Sequence, residues 1–95
     1  MDRITRIEAM EEKLRAAAEA VHALDRALDA YAFAAEDIRA LEEYLTGAER
    51  REDLAADESG LLPASLRRGV LSEDGIYNLL EENDELRQRL REFQP

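Results

Sequence analysis

The sequence predicts an all-α protein, and three observations carry the prediction. Between Asp2 and Thr46 there is neither glycine nor proline. Apolar residues recur there with a period of seven, split three and four, the spacing of one helical seam. Glycine, proline and serine then cluster between Gly60 and Ser72, where they punctuate the chain before a second helical pattern begins.

Taken in order, the first element is a long N-terminal helix. In sevens, Ile7, Leu14, Val21, Leu28, Ala35 and Glu42 fall at position a, and Met10, Ala17, Leu24, Tyr31, Ile38 and Leu45 at position d. Only Glu42 interrupts the apolar seam. Asp2 is the expected N-cap, and Thr46-Gly47 the stop. Alanine is abundant between Arg15 and Ala35, so helix propensity is high where side-chain bulk is low. A continuous helix of this span would run about 65 Å at 1.5 Å per residue. The competing reading is a hairpin bend near Asp29 to Ala35, although no residue there breaks a helix. Phe33, Ala40 and Tyr44 share a second face, and the middle of the chain is expected to cover it with its leucines.

That middle, from residue 49 to residue 71, is expected to be an irregular elbow with short helices. Gly60 and Pro63 interrupt it, and Pro63 can open a short helix that stops at Gly69. Leu54, Leu61, Leu62, Leu66, Val70 and Leu71 follow no strict period and are expected to pin the segment down. Ser72 is the expected cap of the final helix, with Glu73 and Asp74 placed where the helix dipole favours negative charge. Its seam is Ile76, Leu79, Asn83, Leu86, Leu90 and Phe93, and Glu85 stands four residues before Arg89 in the favourable order for an ion pair. This helix is expected to pack back as an antiparallel hairpin or small bundle, so that residues 1–95 form a single helical domain.

Composition narrows the function. The chain has 95 residues and a formal charge of -10, from 23 acidic and 13 basic side chains. That field repels phosphate backbones and anionic lipid, so neither a nucleic-acid nor a membrane partner is expected. No apolar run approaches the ~20 residues of a membrane span, and no signal-like segment opens the chain. There is no cysteine, which excludes disulfides, thiolate metal sites and cysteine nucleophiles. A cytoplasmic location is the expectation that follows.

Residues 51–80, from Arg51 through Asp53, Asp57-Glu58, Gly60, Leu62-Pro63 and Arg68-Gly69-Val70-Leu71-Ser72-Glu73-Asp74 to Leu80, carry a resemblance. So does the opening Ile4-Thr5-Arg6-Ile7-Glu8-Ala9-Met10-Glu11. Both are similar to the pattern of a small bacterial family of uncharacterised helical proteins, domain of unknown function 4298. In that pattern an aromatic residue often precedes the acidic stretch, where this chain has Arg50. The resemblance implies a compact helical protein and supplies no activity.

Candidate chemistry is thin. Glu19 and His22 have the Glu-x-x-His spacing of di-metal helical bundles, but such sites need a second motif and further glutamates. Glu81, Glu82 and Glu85 match a Glu-Glu-x-x-Glu motif that can hold magnesium beside a phosphate, yet the second acidic pair that such hydrolases carry downstream has no room here. These five residues define the alternative reading, a small metal-dependent hydrolase or metal-binding bundle. No cofactor and no enzyme activity is expected. Asp53, Asp57 and Glu58 lack the spacing of a calcium loop and are expected to cap turns or to pair with Arg67 and Arg68.

The leading expectation is a protein–protein interaction or structural module. The N-terminal seam is about twice as long as the C-terminal helix that could cover it, which leaves Val21, Leu24, Leu28 and Tyr31 for a homodimer or another protein partner. Ala17, Ala18 and Ala20 permit the close backbone approach of an antiparallel pair. The elbow set Asp53, Asp57, Glu58, Arg67 and Arg68 is the second candidate surface.

Overall fold

A computed structural model describes residues 2–95. The chain forms α1 (Arg3–Leu45), α2 (Ala48–Glu58), a 3-10 turn at Gly69–Leu71 and α3 (Gly75–Glu92). No strand occurs among the described residues. Contacts divide the chain into two compact units, Met1–Ala35 and Glu36–Pro95. No helix is long and apolar enough to cross a membrane among the described residues.

α1 is one uninterrupted helix, so the hairpin bend near Asp29 to Ala35 does not form. The reason is local: Asp29 to Ala35 contains four alanines and no residue that frees a backbone donor or clashes with the preceding turn. Asp2 caps the helix as expected, its Oδ1 accepting the Thr5 amide at 2.7 Å. That hydrogen bond draws the Asp2 carboxyl below its ordinary value of 3.8, because the bond favours the charged form. At the other end Gly47 N–H returns to the Tyr44 carbonyl at 3.1 Å, and α2 begins at once.

The elbow is more regular than its sequence suggests. Its first part is helical as α2, although Glu49 to Asp57 has no sustained apolar period. Side chains support this helix from outside: Tyr44 donates its hydroxyl to Asp53 Oδ2 at 2.7 Å, and Arg51 reaches the Thr46 carbonyl at 3.3 Å. α2 ends in two closing hydrogen bonds, Gly60 N–H to Asp57 O and Leu61 N–H to Ala56 O, both at 3.0 Å. This closure needs a left-handed residue, and Gly60 supplies it with φ of 73°.

The short helix expected from Pro63 to Gly69 is replaced by a single turn, Leu66 N–H to Pro63 O at 3.1 Å. The physical reason is Arg68. Its guanidinium takes the carbonyls of Pro63 and Leu66, each at 2.8 Å, and that of Leu62 at 3.3 Å. With these carbonyls gathered around one guanidinium, the segment is held as a loop and its Pro63 carbonyl closes only the one turn to Leu66.

α3 starts two residues later than expected, with Asp74 rather than Ser72 at its N-cap and no acidic residue in its first turn, because Ser72 closes the 3-10 turn and braces the Gly75 amide from there. The Ser72 hydroxyl accepts the Gly75 amide at 3.1 Å and donates to the Gly69 carbonyl at 2.7 Å. A side chain at position 75 would overlap that same carbonyl and hydroxyl, so only glycine fits this crossing. α3 packs against the 3-10 turn and shares a groove with Leu41 of α1, and Ile76 is the one residue fully buried among those described, 4% exposed. Ile38, Leu41, Leu45, Leu54, Leu71 and Leu80 are half-buried within the same unit.

The expected cover over Phe33, Ala40 and Tyr44 is not made. Phe33 is 86% exposed, Ala40 is exposed and Tyr44 is only half-buried. Leu61 and Leu66 are exposed as well, Leu66 at 47%. The second unit centres on Ile76, so its leucines gather on the Leu41 and Leu45 side of α1.

Candidate interaction surface

Within Arg3–Leu45 no side chain is buried. Ile4, Ile7, Met10, Leu14, Val21, Leu24 and Leu28 each keep between 46% and 70% of their surface open. They form one stripe, since the spacing three and four returns each to the same helix face. Val21, Leu24 and Leu28, expected at the centre of an interface, all stand open on it; Tyr31, at its end, is half-buried. Ile4 extends the stripe one turn beyond the expected start, and its signal was its place three residues before Ile7.

The polar face is tied to itself. Arg15 donates to Glu12 Oε1 at 2.6 Å and to Glu19 Oε2 at 2.8 Å, across one turn in each direction. The Glu12 carboxylate keeps the Arg15 guanidinium charged, and Arg15 in turn lowers the Glu12 carboxyl. Both partners are well exposed, so these pairs order the side chains more than they stabilise the helix. Along the borders of the stripe, positions 18, 20, 27, 32 and 34 are all alanine. A second helix can therefore approach closely there.

The five elbow residues do not converge. Arg68 Nε donates to Asp57 Oδ1 at 2.7 Å, both side chains being about one-third exposed. This is the cross-reversal pairing, and it aims the rest of the guanidinium at the loop carbonyls. Asp53 instead accepts from Tyr44, and its carboxylate raises the Tyr44 phenol above the usual tyrosine range. Glu58 is exposed at the end of α2. Arg67 lines an open groove of about 400 Å³ with Leu41, Val70, Ile76 and Leu79. Arg50 is the structural residue the sequence reading did not assign. It donates to the carbonyls of Val70 at 3.0 Å and Ser72 at 3.1 Å, joining α2 to the start of α3.

The metal alternative finds no geometry. No group of three or more His, Cys, Asp or Glu side chains is placed to hold an ion among the described residues. The Glu19 carboxylate is engaged by Arg15. Glu82 and Glu85 border a shallow groove with Leu86 and Arg89, and His22 is exposed on α1.

Residues 7–93 match the model of a family described as Domain of unknown function (DUF4298). The chain belongs to that family. Its match begins at Ile7, the first a position of the seam, and ends at Phe93, the last apolar residue of α3. The DUF4298 match therefore includes both the open stripe of α1 from Ile7 onward and the elbow held by Arg50 and Arg68. No curated protein and no solved structure matches the chain. The family description assigns no activity, and what this member does has to be argued from its own surfaces.

Proposed function

We propose that this protein is a helical protein–protein interaction module that self-associates through α1 as a homodimer. One observation carries the reading. Seven large aliphatic side chains, from Ile4 to Leu28, lie open on one face of a helix that buries none of its residues. Contiguous apolar surface on a small protein marks an interface, and alanine borders make this one accessible to another helix. Arg15 engages Glu12 and Glu19 on the face of α1 away from the stripe. Catalysis has no place in the proposal.

Sedimentation velocity over a dilution series that reaches tens of micromolar tests it. A species of twice the 10.8 kDa chain mass is the expected result at the upper end. A chain that sediments at its own mass throughout refutes the self-association.

A further inference from the structure

Taking that self-association as its basis, we propose that the two copies of α1 pair antiparallel, with their two-fold axis between His22 and Ala23. Two independent features of the chain lead there.

The first is the charge partition. Residues 1–35 hold five basic and seven acidic side chains, whereas residues 36–95 hold eight and sixteen. A net -8 of the total -10 therefore follows Ala35. Parallel pairing would bring the -8 segments of both copies to the same end of the paired stretch, where like charges repel. Antiparallel pairing sends them to opposite ends. It also places the acidic end of the second copy, at Glu36 and Asp37, beside the N-terminal part of the helix, where four basic residues (Arg3, Arg6, Lys13 and Arg15) balance four acidic ones (Asp2, Glu8, Glu11 and Glu12). Separating like charges in this way selects orientation as well as partner.

The second feature is the size pattern along the seam. Its small residues, Ala17 and Ala35, are unevenly placed among Met10, Leu14, Val21, Leu24, Leu28 and Tyr31. A parallel pair in register would set Ala17 against Ala17 and leave a thin layer there. In an antiparallel pair each a residue faces a d residue. With the axis between His22 and Ala23, Ala17 faces Leu28 of the second copy, Ala35 faces Met10, Leu14 faces Tyr31 and Val21 faces Leu24. Each alanine then meets a long side chain, the alternation that fills a helix interface evenly. All of these layers fall within Met1–Ala35, where the aliphatic residues stand open.

The absence of cysteine makes the test direct, because a single introduced thiol takes a spin label cleanly. Glu8→Cys and His22→Cys place the label on the polar side of α1, at residues that make no contribution to the stripe. Dipolar distances are then measured in the full-length chain, with helix content checked by circular dichroism. The proposed axis puts the two labels at position 8 about 44 Å apart, at 1.5 Å per residue. The labels at position 22 fall within about 20 Å, since paired helices lie about 8–10 Å apart. Short distances at both positions overturn the antiparallel orientation while leaving the dimer intact. A distance at position 8 displaced by a heptad, about 10 Å either way, overturns the axis. No dipolar coupling at either position overturns the self-association itself.

Discussion

Replacing Leu24 with glutamate separates the seam from the rest of the molecule. Leu24 is 53% exposed in the single chain. Fully burying such a side chain is worth about 1.5–3 kcal/mol, so association recovers about 1 kcal/mol of it per copy. A two-fold interface counts the residue twice, giving about 2 kcal/mol per dimer. The introduced carboxylate adds a desolvation cost of about 1 kcal/mol or more per copy, because alanine borders offer it no cation. The sum is about 4 kcal/mol, close to a thousandfold in the dimer dissociation constant. Leucine and glutamate have similar helix propensity, so α1 itself should keep its helicity. Phe33→Glu is the control. Phe33 is more exposed than Leu24 but lies off the stripe, and its replacement should leave association unchanged. Sedimentation equilibrium with parallel circular dichroism reads both variants. If Leu24→Glu dimerises as the unmodified chain does, or if Phe33→Glu weakens the dimer equally, the reasoning from the seam fails.

The second unit offers further tests. Ile76→Ala should cost about 3 kcal/mol as a large-to-small change at the one fully buried position, whereas Leu66→Asp, at a half-open site, should shift a urea midpoint only slightly; equal effects would misplace the core. Arg68→Lys should destabilise by about 2 kcal/mol, because an ammonium cannot reproduce a planar fork that serves Asp57 and four carbonyls at once. An unchanged midpoint would mean that the loop is held by something else. Gly75→Ala should cost about 1–3 kcal/mol by driving a methyl group into the Gly69 carbonyl, and wild-type stability would rule out that close crossing. For Asp2, whose carboxyl is depressed in the folded chain, the cap is complete above the ordinary value of 3.8 and is lost as pH falls through the lower folded value. The Thr5 amide shift should follow that titration by NMR, and an amide that titrates at the ordinary value would show the cap to be unformed.

How much of this was legible depended on what kind of signal each element leaves. α1 could be read almost to its ends, because a seam sustained from Ile7 to Leu45 and a capping aspartate are both local properties of the sequence. α2 was harder. Its residues Glu49 to Asp57 have helix propensity but no apolar period, and its support comes from Tyr44 and Arg50, whose partners lie 9 to 22 residues away. The segment after Pro63 misled for a related reason. Proline does favour a helix start, but the Arg68 side chain captures the carbonyls such a helix would need. Of the candidate surface, Val21, Leu24 and Leu28 stand where periodicity placed them. The elbow set was read as one patch from proximity in sequence, and the helix and loop geometry sends Asp53, Glu58 and Arg67 in separate directions.

A helix that buries none of its residues also has a thermal signature. Unfolding raises the heat capacity in proportion to the apolar surface it exposes, roughly 12–15 cal/mol/K per residue in an ordinary globular protein. The stripe from Ile4 to Leu28 is already hydrated in the single chain, so melting the Met1–Ala35 unit adds little to that term. A dilute sample should therefore fall well below the roughly 1.2 kcal/mol/K that a 95-residue globular chain would show. Concentrating the protein into dimers should raise the value per chain, because each dimer then has a dry seam to wet. Calorimetry of one unmodified sample at two concentrations thus reports whether water or a second helix lies against α1.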